Sequence, residues 1–229
     1  DVNGENYPLE IAPFWQEKLV FQHQEGINTI VLKQDDDFAV DNKVLLSVPE
    51  RKETSILVIT NNAKSYLYPV IQAYAEAWND EATVEKGEPP VMPVVTHDVI
   101  VLSEVDTSNL PGSVVSKIKE QVLEGATLIV TAQNDLEDLD VEDILPVAFA
   151  SNPIVQQKVD VDMQNVLTAV TQGVSITTVD KYMQATAKEN SVILAKTSDG
   201  VPLLAMGSYG EGIVVYYGIF ESNSTFKYD

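Results

Sequence analysis

Four polar residues sit where an α/β sheet would do its chemistry. Glu104 and Asp106 follow the apolar run Asp98 to Leu102, and Gln133 and Asn134 follow the run Ala126 to Thr131. If both runs are parallel strands, these residues lie at carboxyl ends, the edge of such sheets that takes ligands. The two carboxylates could pair as acid and base. The plainer reading is weak loop polarity, because 35 acidic residues against 14 basic ones put carboxylates in many loops.

Other chemistry is sparser. Asp35, Asp37 and Asp41, with Asn42, offer oxygens to Ca²⁺, yet no glycine and bidentate Glu follow at EF-hand positions. Turn capping is the simpler role for them. The chain holds no cysteine, so thiolate metal sites, disulfides and a Cys nucleophile are excluded. There is no G-x-S-x-G elbow. Thr131 is a hydroxyl at a strand end without a visible base. Of the two histidines, His23 lies among glutamines and His97 precedes its strand, at the wrong end for a site. No GxGxxG or GxxxxGK[ST] pattern occurs, so no nucleotide or other cofactor is expected. The formal charge of −21 argues against nucleic acid and anionic lipid as partners.

Those residues need elements to hold them. Lys18 to His23, Ile27 to Leu32 and Lys43 to Val48 read as strands, the first two flanking the Glu25-Gly26 turn. Residues 1–50 are therefore an all-β segment, too small for a core of its own and expected to belong to a β-sandwich. Residues 51–229 read as one α/β domain. Ser55 to Thr60 is a continuous apolar run, as in a strand covered on both faces. A helix follows with Leu67, Val70, Ile71, Tyr74 and Trp78 on one face and Pro69 in its first turn. The Asp98 strand, a helix from Pro111 stopped by Gly125, and the Ala126 strand complete an alternating series that predicts a parallel sheet. Residues 154–178 look irregularly β-like, and Val179 to Lys188 reads as a short helix. Strands Ser191 to Lys196, Pro202 to Gly207 and Ile213 to Ile219 end the chain, joined by turns at Asp199-Gly200 and Gly210-Glu211-Gly212. No run approaches the roughly 18 apolar residues of a membrane span.

Three stretches carry a family resemblance. They are Asp36 to Asn42 with the strands after it; Asp98 to Leu102, Leu110-Pro111, Glu124-Gly125-Ala126 and Leu128 to Thr131; and Pro202 to Val214. In this order, over about residues 35–220, they resemble the class I glutamine-amidotransferase-like domain of von Willebrand factor A-associated proteins of the aerotolerance-regulator type, archaeal ones included. The resemblance implies a flavodoxin-like, three-layer parallel sheet following a β-sandwich segment, on the extracytoplasmic side of a membrane-anchored protein. The triad cysteine of active amidotransferases would fall near Ala132 or Gln133, and its lack implies a non-catalytic member. The expectation is then a scaffolding module of a larger chain, binding a protein partner or another domain of its own chain, with a sugar-type ligand at Glu104, Asp106, Gln133 and Asn134 as the alternative.

Calcium is the one metal the sequence leaves open, and it is directly testable. Dialysis against a chelator is expected to leave the melting curve unchanged; a drop in melting temperature restored by Ca²⁺ would establish a site at Asp35, Asp37 and Asp41.

Overall fold

A computed structural model of the chain describes residues 1–9, 16, 18–33, 42–48, 53–77, 82–164 and 176–220. Two compact units divide it, Asp1–Lys52 and Glu53–Asp229. In the first, β1 (Gly26–Val31) and β2 (Lys43–Val48) pair antiparallel, with Gly26 opposite Val48 and Val31 opposite Lys43. Asn28, fully buried, ties the start of the chain to this pair. Its Oδ1 accepts from the Gln24 N–H and from Asn3 Nδ2, and its Nδ2 donates to the Gln24 carbonyl. Residues 18–23 form no strand, pairing with no edge among the described residues, and Val20 is 81% exposed.

The second unit runs β3 (Thr54–Ile59), α1 (Leu67–Ala77), β4 (Ala82–Gly87), β5 (Val99–Leu102), α2 (Gly112–Leu123) and β6 (Thr127–Thr131). After a 3₁₀ turn at Leu136–Leu139 come β7 (Val147–Met163), β8 (Thr178–Ala187), β9 (Val192–Thr197), β10 (Pro202–Tyr209) and β11 (Gly212–Tyr217). One sheet of nine strands holds them in the order β4-β3-β5-β6-β11-β10-β9-β7-β8. The first five of that order are mutually parallel, and the remaining pairings are antiparallel.

This corrects the expected flavodoxin-like three-layer parallel sheet. The sheet is mixed, strand far outweighs helix, and only two α-helices occur among the described residues. Val179 to Lys188, expected as a helix, is nearly all β8. Its β-branched start, Thr177-Thr178-Val179, suits a strand, and its buried residues are shared between two cores, Val179 and Tyr182 in one and Met183 and Ala185 in the other. β4 was not foreseen either, because Thr83, Glu85 and Lys86 are too polar to look like part of a sheet; an edge strand tolerates such residues. In α1 Leu67 and Ile71 of the expected face are half-buried, together with Tyr68 and the buried Ala75, whereas Val70 and Tyr74 are 60% and 59% exposed and Trp78 lies outside the described residues. No described helix is long and apolar enough to cross a membrane.

The antiparallel half curls back on itself. The outer edge of β8 bonds the chain that leaves β11: the Met183 N–H donates to the Gly218 carbonyl (2.9 Å) and the Phe220 N–H to the Lys181 carbonyl (3.2 Å). Tyr182 and Ile219 form an antiparallel bridge. Strands β11, β10, β9, β7 and β8 thus close into a barrel-like ring. Its interior is a separate apolar core of Val179, Tyr182, Ala195, Val201, Leu203 and Ile219. The larger core lies against the parallel strands and α2, and includes Leu57, Ile100, Leu102, Ile118, Val122, Leu128, Val130 and Tyr216.

The Gly210-Glu211-Gly212 turn has a packing role. It lies on the carboxyl end of α2, where the Glu211 N–H donates to the Leu123 carbonyl (3.0 Å). A Cβ at Gly212 would collide with the carbonyl oxygens of Val122 and Ala126. These atoms are backbone, so no rotamer relieves the clash. Gly212→Ala is therefore expected to cost about 2–3 kcal/mol, lowering the melting temperature by roughly 5–10 °C for a chain of this size. Gly112→Ala, at the open start of α2 where an added Cβ meets nothing, is the control and should be neutral or slightly stabilising. Equal melting of G212A and wild type would refute the contact.

Candidate functional site

From β3 the chain passes to β4 on one side of the sheet and later to β5 on the other. The loops leaving β3 and β5 therefore part at their carboxyl ends, which opens a crevice at a topological switch point. A cleft of about 400 Å³ lies there. Glu104, Asp106, Gln133 and Asn134 all line it, together with Asn61, Asn62, Val105, Thr107, Asp135, Lys181 and Phe220. The four residues singled out at strand ends are thus brought to one cavity.

Most of that polarity is already bonded to the protein. Gln133, 2% exposed, accepts the Val105 N–H at Oε1 (3.1 Å) and reaches the Val105 carbonyl with Nε2 (3.5 Å). It fastens the β5 loop to the end of β6. Asn61 accepts the Asp106 N–H (2.8 Å) and donates to the Pro89 carbonyl (2.7 Å). Asn62 donates to the Glu104 carboxylate. Glu104 itself adopts φ +49°, a left-handed backbone that is costly for a residue with a side chain. It turns the chain sharply after β5 and leaves its carboxylate at the cleft. The Asp106 carboxylate accepts from the Ser108 N–H (3.1 Å), the Ser108 hydroxyl (2.6 Å) and Asn109 Nδ2 (2.6 Å). These bonds, the Ser108 hydroxyl first, hold its pKa below the ordinary 3.8. Asn134 and Asp135 are exposed at the rim, and Asp135 has φ +55°.

Sequence reasoning missed Lys181 and Phe220. Both hang on the ring closure between β8 and residues 218–220, and β8 had been read as a helix. The Lys181 ammonium lies 3.9 Å from the centroid of the Phe220 ring, a cation–π contact. The β-branched run leading into β8, Thr177-Thr178-Val179, was the available signal.

The other candidates fall elsewhere. Thr131 is 6% exposed and donates to the Ser103 hydroxyl (2.9 Å), itself fully buried, so it meets no base. His97 stands at the amino end of β5, with Nε2 3.2 Å from a Glu85 carboxylate oxygen. His23 is exposed. Asp35, Asp37 and Asp41 lie outside the described residues. Among those described, no three His, Asp or Glu side chains gather as a metal site would need.

The fold and cleft define a mixed-sheet domain with an open crevice at the switch point of its parallel half. Residues 55–229 match the family described as Domain of unknown function (DUF7408), and the chain belongs to that family. Its fold is similar to those of two cytoplasmic proteins of Salmonella typhimurium. STM1381 from strain LT2 is 19% identical with a TM-score of 0.59, over 72% of this chain and 88% of that one. STM3548 is 13% identical with a TM-score of 0.59, over 73% and 87%. A ThuA-like protein of Bacteroides uniformis is 12% identical with a TM-score of 0.50, over 77% and 86%. No curated protein matches the sequence.

These matches overturn the expected kinship with glutamine-amidotransferase-like, von Willebrand factor A-associated domains. Two of the stretches behind that expectation have packing roles. Gly125 stops α2 at φ +121°, and Pro202 to Val214 forms the β10–β11 hairpin that docks on it. Any sheet with such a hairpin places similar demands on its sequence.

Asp106 gives the cleft a pH signature. A carboxyl whose pKa is lower in the folded than in the unfolded chain stabilises the fold above the unfolded value. It loses that contribution as pH falls through the folded value. The urea midpoint of wild type is expected to exceed that of Asp106→Asn at neutral pH, the gap narrowing as pH is lowered below 3.8. A gap unchanged between pH 7 and pH 3 would show that the carboxylate's charge is not what the loop uses.

Proposed function

We propose that residues 53–220 form a non-catalytic recognition module that presents the switch-point cleft to a protein partner or to another domain of the same chain. One observation carries this reading: the polar groups of the cleft are used to hold its own loops. Gln133 is spent on Val105, Asn61 on Pro89 and Asp106, Asn62 on Glu104, and Asp106 on Ser108 and Asn109. Such bonds pre-organise a surface and lower the entropy lost on association.

A second reading is a small sugar-type ligand. It is favoured by the convergence of Glu104, Asp106, Gln133 and Asn134 on one cavity of about 400 Å³, within the size range of small-molecule sites. The extracytoplasmic setting expected from the sequence came with the von Willebrand factor resemblance and loses that support.

A photo-crosslinker at Asn134 tests the first reading against one at Glu120, near the carboxyl end of α2 and so at the opposite end of the sheet. A protein trapped from Asn134 and not from Glu120, and lost in Glu104→Lys, is the expected result. Binding to a glycan array that disappears in Asn134→Ala/Asp135→Ala would favour the second reading. Equal crosslinking from both positions, with no glycan bound, would sink both.

A further inference from the structure

The cleft is lined by Phe220, which shares the larger core with Tyr216. Tyr216 is fully buried in the larger core, and its hydroxyl has no hydrogen-bond partner among the described residues. Buried polar groups are paired in the great majority of cases, so an unpaired one asks for an explanation. Burial also pushes the pKa of this phenol far above its usual range, which keeps it an O–H donor.

Its position is set by the strand. Tyr216 and Phe220 belong to one core, whereas Tyr217 and Ile219 face the other, so side chains 216, 218 and 220 share a face. Residue 218 is glycine, and a Cβ there would stand 2.5 Å from the Tyr216 hydroxyl oxygen. The tyrosine thus leans forward along the strand into the space that glycine leaves, and Phe220 is the next side chain on that face. Phe220 is 4% exposed and lines the cleft beneath Lys181, whose ammonium lies over its ring.

We propose that Tyr216 forms the floor of a second, closed level of the cleft, reached when the Phe220 side chain moves aside and taken by a small neutral ligand with an apolar body and one acceptor oxygen. The apolar body replaces the Phe220 ring in the core, and the oxygen accepts the Tyr216 O–H. An anion is a poorer occupant, since Glu104, Asp106 and Asp135 rim the entrance with only Lys181 against them. Lys181 is free to follow the ring or to turn outward, because its contact with Phe220 is the only side-chain interaction the described residues give it. The proposal goes beyond both readings of the cleft, since its occupant is neither a protein nor a sugar, and its test is separate from the crosslinking and glycan experiments.

The test uses chemical rescue. Phe220→Ala opens the closed level, and its melting temperature is measured with phenol or with benzene at equal millimolar concentration. Both fill apolar space, but phenol alone can bond Tyr216. Phenol is expected to raise the melting temperature of F220A by at least about 2 °C more than benzene does, and this preference should vanish in F220A combined with Tyr216→Phe. Equal rescue by both compounds, or a phenol preference that survives Y216F, overturns the proposal. Tyr216→Phe alone needs no opened cavity, and is expected to melt at the wild-type temperature or above, since it removes an unpaired hydroxyl. A loss of several degrees would mean that the hydroxyl already holds a partner, such as an internal water, and would overturn the proposal as well.

Discussion

A sheet ends in a row of unpaired N–H and C=O groups, and the way β8 disposes of its own row governs the rest of this domain. An unmet edge invites other strands. Here the edge folds onto the chain that leaves β11, through the Met183–Gly218 and Phe220–Lys181 backbone bonds. That closure makes a ring of the antiparallel strands, gives the ring a core of its own, and fixes where the chain runs after β11. It also carries Lys181 and Phe220 to the carboxyl ends of the parallel strands. Without it the cleft would have one wall, built by the β3, β5 and β6 loops. The opposite edge, β4, uses a cheaper device, a short strand carrying Glu85 and Lys86.

The cleft wall on the parallel side shows a second economy. The same side chains that give it polarity hold its backbone in place. Gln133 is the clearest case: buried and bonded at both ends to Val105, it serves the loop first. Glu104 goes the other way, since its left-handed backbone is an energetic cost that buys a sharp exit from β5. Fixed loops and two acidic residues with left-handed backbone, Glu104 and Asp135, thus stand together at one cleft.

How much of this the sequence disclosed depends on the kind of neighbour each segment has. The runs at β3, β5 and β6 are apolar throughout because both faces are covered, and continuous runs of that kind are easily seen. The switch-point residues followed from them, since a strand's carboxyl end is known once the strand is. Segments whose neighbours lie far along the chain were opaque. β4 is polar because it sits at an edge, and nothing within it says so. β8 was mistaken for a helix because its partners are β7 and residues 218–220, which local periodicity does not reveal. The helix face of α1 was legible only in part: Leu67 and Ile71 turn inward as expected, but Val70 and Tyr74, which fit the same 3.6-residue stripe, stay exposed while Tyr68 and Ala75 turn inward. The family resemblance drew in part on a helix stop at Gly125 and on the β10–β11 hairpin, features that many sheets share.

The hairpin between β10 and β11 shows how a local turn can become a long-range fastener. Hairpin tips are ordinarily the places where a chain accepts extra residues, because they stand in solvent and touch little. This tip is seated on the last turn of α2, its glycines filling gaps between carbonyl oxygens. The β9–β10 tip at Asp199-Gly200 is different, with open space around its glycine. An evolving or engineered chain therefore has one hairpin where a loop can lengthen or carry a new segment, and another, alike in sequence, whose length is locked by a helix almost a hundred residues earlier.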